Sequence, residues 1–286
     1  MIRPVLLVTL SLAAAQEPAP PAAPAAPSVP STPIRASAPR IWIFNGTPGD
    51  DEHHAFYEKN LGALRKTFTE RYAVPAAQTT VLYGPQSAGY DGPCTREAML
   101  AELAKVTAHT KQPDAAPVWI ILQGHANPIT GGAMFNLPGP DLSMREIGDA
   151  LKEANPAVPI VVLGTTTCSA DLVKRLSGPG RMVMTATTVG DKENETEFPA
   201  ALAEALAADA SDTNGDHILS VTELFQATSA AVLRIYETGN FVVKEHAQLD
   251  GNGDGKATQR PAPEDAKPAD ILGLAIGGAA GKPKFE

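Results

Sequence analysis

The chain has 286 residues, of which 43% are apolar but only 5% aromatic, and a formal charge of −9 at pH 7. That length accommodates one large domain or two small ones, with a core made mostly of Ala, Val, Leu and Ile. The acidic balance, without any long Lys/Arg cluster, weighs against a nucleic-acid partner, because phosphate binding needs a basic patch.

Residues 1–15 read as a signal peptide. Arg3 supplies a basic start, Val5 to Leu12 a short apolar run, and Ala13-Ala14-Ala15 the small residues of a cleavage site. The run is too short to span a bilayer, and no other segment is long and apolar enough to do so. An exported protein, periplasmic or secreted, is expected. Residues 16–39 are rich in Pro and Ala without periodicity and read as a disordered linker.

From residue 40 strand and helix patterns alternate. Ile41 to Phe44 is a buried strand. Glu52 to Tyr72 is a helix, with Phe56, Leu61, Leu64 and Phe68 on one face. Asp50, Asp51 and Glu52 before it suit the positive end of the helix dipole. Adjacent His53 and His54 leave a helix in different directions, so they are not expected to share a metal. Thr79 to Tyr83 is a second strand, and Thr95 caps a helix reaching Thr107. Val118 to Leu122 is a third strand. Ala133 to Leu137 reads as a short hairpin arm, and Ser143 with Glu146 forms a capping box. Ile160 to Leu163, the short helix Asp171 to Leu176, the strand Met182 to Ala186 and the helix Phe198 to Ala208 complete the series. Alternating units of this kind imply an α/β fold with a mainly parallel sheet covered on both faces. The stretch from Arg260, Pro-rich and then Gly/Ala-rich, is expected to be poorly ordered.

Two strand ends carry chemistry. The run Val118 to Leu122 leads through Gln123-Gly124 to His125, and Ile160 to Leu163 leads through Gly164-Thr165-Thr166-Thr167 to Cys168. Ligands of open α/β sheets bind outside the carboxyl ends of the strands. An imidazole and a thiol are therefore expected at one functional edge, where a base can activate a thiol. The cysteines are Cys94 and Cys168, and in an oxidising compartment they could instead form a structural disulfide.

A second signal lies at residues 212–223, whose spacing matches an EF-hand loop. Side-chain oxygens of Asp212, Asn214, Asp216, Ser220 and Glu223, with the carbonyl of Ile218, could converge on Ca²⁺. The sixth position, which needs a positive φ and is normally Gly, is His217. The helices Phe198 to Ala208 and Val221 to about Tyr236 would flank this loop. Asp250, Asn252, Asp254 and Lys256 repeat its first half, with Gly255 at the sixth position and Pro261 where the bidentate Glu should stand. Glu245 or a tail carboxylate is left to complete such a second site. The two loops could form a pair.

The His and Cys strand ends, with the hairpin and helix between them, resemble the caspase-like fold of legumain, caspase and metacaspase cysteine peptidases. In caspases the His precedes the Cys by about 50 residues; here the gap is 43. The resemblance covers roughly residues 40–208. It implies a three-layer sandwich there; the EF-hand-like segment follows at 209–260 and a tail at 261–286. It also implies Cys168 as nucleophile, His125 as general acid, and Asn45, in Asn45-Gly46, as a residue that orients His125. Oxyanion donors would be the backbone of Gly124 or Ala126 and of Cys168. Gly178 to Arg181 and Thr185 to Thr188 fall where the family lines its substrate cleft, so a peptide or protein is the expected partner. The chain departs from the family at Ala126 and Ala170, where Gly is usual, and at Thr167. Legumain spacing places Thr167 at the nucleophile position and caspase spacing places Cys168 there. The alternative function is an inactive domain of the same fold that binds peptide or protein, with Ca²⁺ as a clamp.

Overall fold

The computed structural model describes residues 38–85, 88–191 and 195–277. The signal-peptide expectation over residues 1–15 and most of the linker expectation lie outside the described residues. The elements run β1 (Arg40–Asn45), α1 (Asp51–Glu70), β2 (Thr79–Tyr83), α2 (Arg96–Thr110), β3 (Val118–Gln123), β4 (Ala126–Ile129), β5 (Gly132–Phe135), β6 (Leu142–Ser143) and α3 (Met144–Leu151). They continue as β7 (Ile160–Gly164), α4 (Asp171–Leu176), β8 (Arg181–Thr185), α5 (Phe198–Ala207), β9 (Ile218–Ser220), α6 (Val221–Thr238), β10 (Gln248–Asp250), α7 (Pro263–Ile271) and β11 (Gly273–Ala275).

The central sheet has the order β10-β8-β7-β3-β1-β2. Every pairing in it is parallel except that of β10 with β8. Side chains alternate between faces along each strand, and both faces are buried. Ile41, Ile43, Trp119, Ile121, Val161 and Leu163 join a core closed by α1, α5 and α6. Trp42, Phe44, Ile120, Leu122, Ile160 and Val162 join a second core closed by α2, α3 and α4. This double burial explains why the strands read as unbroken apolar runs. The caps follow the sequence signals. Thr95 accepts from the Ala98 N–H, and Ser143 and Glu146 form a reciprocal box at α3.

Strands β4, β5 and β6 form a small antiparallel sheet, so the expected hairpin arm belongs to a three-stranded unit. Two expectations need correction. The stretch after Arg260 is not structureless up to residue 277: α7 and β11 bury Ala269, Leu272 and Leu274 in the first core. The two acidic loops are not a pair either. Strand β9, inside the first loop, pairs with β11, whereas the second loop starts at Asp250, the last residue of β10 in the main sheet. The 209–260 segment thus supplies a strand of the central sheet. Among the described residues no helix is long and apolar enough to cross a membrane.

Candidate active site at the carboxyl edge of the sheet

After β1 the chain turns outward to β2, then returns across β1 to β3. The neighbouring carboxyl ends of β1 and β3 therefore form the switch point at which open α/β sheets place ligands. Gly124 lets the backbone there close up. Its φ is +134°, and a Cβ on it would lie 3.1 Å from the Gly46 nitrogen. His125 follows directly, and Cys168 lies past the end of the adjacent β7. Both line one cleft of about 840 Å³, together with His53, Asp171, Asp191 and Glu195.

His125 is held from two sides. Its Nε2 lies 3.0 Å from the carbonyl oxygen of Pro48, and its Nδ1 lies 3.3 Å from Oε2 of Glu195. His53, in the first turn of α1, brings its Nε2 to 3.0 Å from the same Oε2. Its Nδ1 lies 2.7 Å from Oδ1 of Asp50, the residue that also caps α1 by accepting the His53 N–H. The His53 and His125 rings meet edge to face with centroids 4.7 Å apart. The Tyr57 hydroxyl donates to Oε1 of Glu195 at 3.3 Å. Burial pushes the Glu195 carboxyl up, against the pull of His125 and His53. The hydrogen bonds from His53 hold Asp50 below the usual carboxylate range.

Asn45 does not orient His125. Its Nδ2 donates to the Gly46 carbonyl, and its Oδ1 accepts from Nε2 of Gln123 at 2.6 Å. The buried Asn45–Gln123 pair ties the ends of β1 and β3 together; the orienting contacts on His125 are Pro48 and Glu195. The Ala126 N–H is not free to serve an oxyanion, because it donates to Oγ1 of Thr167 at 3.2 Å. That hydroxyl in turn donates to the Ala126 carbonyl at 2.7 Å. Thr167 is therefore buried and doubly bonded to backbone, which removes it as a nucleophile. Ser169 is likewise used inside, accepting the N–H groups of Ala186 and Thr187.

Cys168 is the side chain this turn presents to the cleft, from a left-handed backbone of φ +53°. Both cysteines are free, so the disulfide alternative fails. Burial, and then the charge of Asp171, push the Cys168 thiol up. Among the described residues no hydrogen bond joins Cys168 to His125.

The acidic loops lie elsewhere. In the first, Asp212 accepts from the N–H groups of Gly215 and His217, Asn214 from Asp216, and Asp216 from Ile218. His217 takes φ +62°, as its position requires. Glu223 is turned onto its own loop: Oε1 accepts from Thr213 and Asn214, and Oε2 from Ser220. Burial pushes the Glu223 carboxyl up, but these donors outweigh it and hold it below its usual value. In the second loop Asp250 accepts from Gly253, Asp254 and Gly255, Asn252 from Asp254 and Asp254 from Lys256. Glu245 is buried and accepts the Glu197 N–H, and burial pushes it up to about 7. Among the described residues, the group of three His, Cys, Asp or Glu ligand atoms within 4.8 Å of one another is His53, His125 and Glu195.

His53 and Glu195 were not expected at this site. Asp50, three residues before His53, was legible only as a charge at the start of the helix, and nothing local links His53 or Glu195 to His125.

No family model matches the chain, and no curated protein matches it. Among solved structures the chain is similar to protein GSU0716 from Geobacter sulfurreducens. The two share 12% identity with a TM-score of 0.45, over 81% of this chain and 98% of that one.

Proposed function

We propose that the chain is an exported caspase-like cysteine endopeptidase of the legumain, caspase and metacaspase type. The observation that carries this reading is the placement of His125 and Cys168 on one cleft, from the ends of neighbouring parallel strands. The Pro48 carbonyl accepts from Nε2 of His125 and leaves Nδ1 for proton transfer. His125 takes the proton of the Cys168 thiol as sulfur bonds the peptide carbonyl carbon. The carbon–nitrogen bond then breaks, the amine leaves with that proton, and water hydrolyses the thioester. The raised thiol means that Cys168 rests protonated and reacts only as His125 removes its proton. The N–H groups of Gly124 and Cys168 are the oxyanion donors this reading retains, since that of Ala126 is occupied.

The occupied Ala126 N–H and the raised thiol favour a second reading, a peptide-binding domain of the same fold without turnover. In both readings Ca²⁺ in the 212–223 loop is a structural clamp, with ligands Asp212, Asn214, Asp216, Ile218, Ser220 and Glu223. The left-handed His217 and the inward turns at Asp212, Asn214 and Asp216 suit that role. Glu223 must exchange its bonds to Thr213 and Asn214 for the ion.

A panel of fluorogenic peptides with Asn, Asp, Arg or Lys before the scissile bond tests the first reading. Turnover by the metal-stripped chain is expected for one class, and loss by at least about a thousandfold in Cys168→Ala and in His125→Ala. Turnover that survives both substitutions sinks the peptidase. Saturable peptide binding without turnover supports the second reading. The clamp predicts a higher Tm with added Ca²⁺, abolished in Asp212→Ala.

A further inference from the structure

We propose that His53, His125 and Glu195 form a site for one divalent first-row transition metal, separate from the acidic loops and independent of the peptidase reading.

The hydrogen bonds around the two imidazoles set their tautomers. A carbonyl oxygen can only accept, so the nitrogen of His125 facing Pro48 carries the proton and its Nδ1 presents a lone pair. The Oδ1 of Asp50 faces Nδ1 of His53 at 2.7 Å as an acceptor, so that nitrogen carries the proton and Nε2 presents a lone pair. Those two nitrogens lie 3.3 and 3.0 Å from one oxygen, Oε2 of Glu195. That oxygen is shielded from solvent and accepts no hydrogen bond. Three acceptor atoms thus face one another, all within 4.8 Å, an arrangement that costs energy unless a cation fills it.

One proton between Oε2 and an imidazole nitrogen would satisfy only one of the two nitrogens. Two would make both rings cationic with centroids 4.7 Å apart, offset only by the part-buried Glu195 and the exposed Asp50. One metal dication satisfies all three ligand atoms at once. Bonds of about 2.0–2.2 Å meeting at the tetrahedral angle place ligand atoms about 3.3 Å apart, against the 3.0 and 3.3 Å found here. Two imidazoles and a carboxylate favour zinc and its first-row neighbours over calcium or magnesium, which select oxygen-only sites.

The surroundings match those of a metal centre. In such centres each ligating imidazole donates its other N–H to a carboxylate or backbone carbonyl, which fixes the ring. Asp50 does this for His53 and Pro48 for His125, while Tyr57 holds the second oxygen of Glu195. All three ligands also line the cleft, so a fourth coordination position opens onto it. One consequence does rest on the peptidase reading. A nitrogen that holds a metal cannot carry a proton, so metal occupancy and turnover at Cys168 exclude each other.

The test uses the full chain stripped with a chelator. Zn²⁺ is titrated by calorimetry, and Co²⁺ is followed by the visible absorption of its four-coordinate form. One Zn²⁺ per chain is expected at this site, with that Co²⁺ absorption. Both signals should disappear in His53→Ala and in Glu195→Gln. Asp50→Ala should weaken binding by about tenfold to a hundredfold, whereas Cys168→Ala and Asp212→Ala should bind as the wild type does. Unchanged binding in His53→Ala and Glu195→Gln, each shown to be folded by circular dichroism, overturns the site, as does a wild-type chain that takes up no Zn²⁺. Stripped wild type that binds Zn²⁺ yet cleaves no peptide supports the metal site and rejects only the peptidase.

Discussion

The two acidic loops obey one local rule and end in different surroundings. Each opens with an Asp that gathers the N–H groups following it, and each turns through positive φ at its fourth and sixth positions. Those positions are Gly215 and His217 in the first loop and Gly253 and Gly255 in the second. The first loop closes on itself through Glu223. The second closes on the body of the protein: Asp250 accepts from the Ser177 hydroxyl, and the loop lies against the turn before β8. Residue spacing therefore specifies the turn, and what the turn rests on specifies its energetics.

Substitutions at matched positions sharpen that contrast. A Cβ on Gly253 would sit 2.1 Å from the Gly178 carbonyl oxygen, whereas one on Gly215 would meet nothing within 4 Å. Gly253→Ala should cost about 3 kcal/mol, from overpacking added to a left-handed alanine, and lower Tm by roughly 6–12 °C. Gly215→Ala should cost only the conformational part, about 1 kcal/mol. Equal losses in thermal melts would break the comparison. Glu223→Ala removes the acceptor of the first loop's closure and should cost about 2 kcal/mol. The folded-state pKa of Glu223 lies below its unfolded value, so its stabilisation is present above about pH 4.5 and lost as pH falls through the folded value. A plot of Tm against pH should accordingly be flatter on the acid side for Glu223→Ala than for the wild type. The smallest effect is His217→Gly, which relieves a side chain held at φ +62° and should add about 0.5 kcal/mol. A loss of stability there would mean that the imidazole makes a contact worth more than the strain.

The sheet was legible because its strands are buried on both faces, and apolar runs such as Val118 to Leu122 and Ile160 to Leu163 have no other use. Strand β10 escaped notice because only Leu249 of its three residues is apolar. Helix α7 escaped because Pro263 and Pro268 lie within its span and its buried residues are Ala266 and Ala269, which leave a faint helical period. At the candidate site the strand ends identified His125 and Cys168, since an apolar strand announces its own terminus. His53 was hidden by its neighbour. The objection to a shared metal holds for His53 with His54, whose Nδ1 bonds the Tyr83 hydroxyl instead, but it does not bear on His53 with a residue of another element. Glu195 sits among acidic residues with no feature of its own. The three ligand atoms come from a helix, a strand end and a loop, and only the closed tertiary structure brings them together.

Both rims of the central sheet are sealed by the chain that follows the rim strand. Beyond β2, Tyr83 donates to the Gly92 carbonyl, and the Val81 N–H is taken by the Asp91 carboxylate. Beyond β10, Leu249 and Thr258 exchange both backbone bonds. An open strand edge is a template for another chain, and here each one is occupied by the protein itself. Without β10, strand β8 would be the margin of the parallel sheet. The segment from 209 onward therefore supplies both the strand that covers β8 and, at Thr258, the chain that covers that strand in turn.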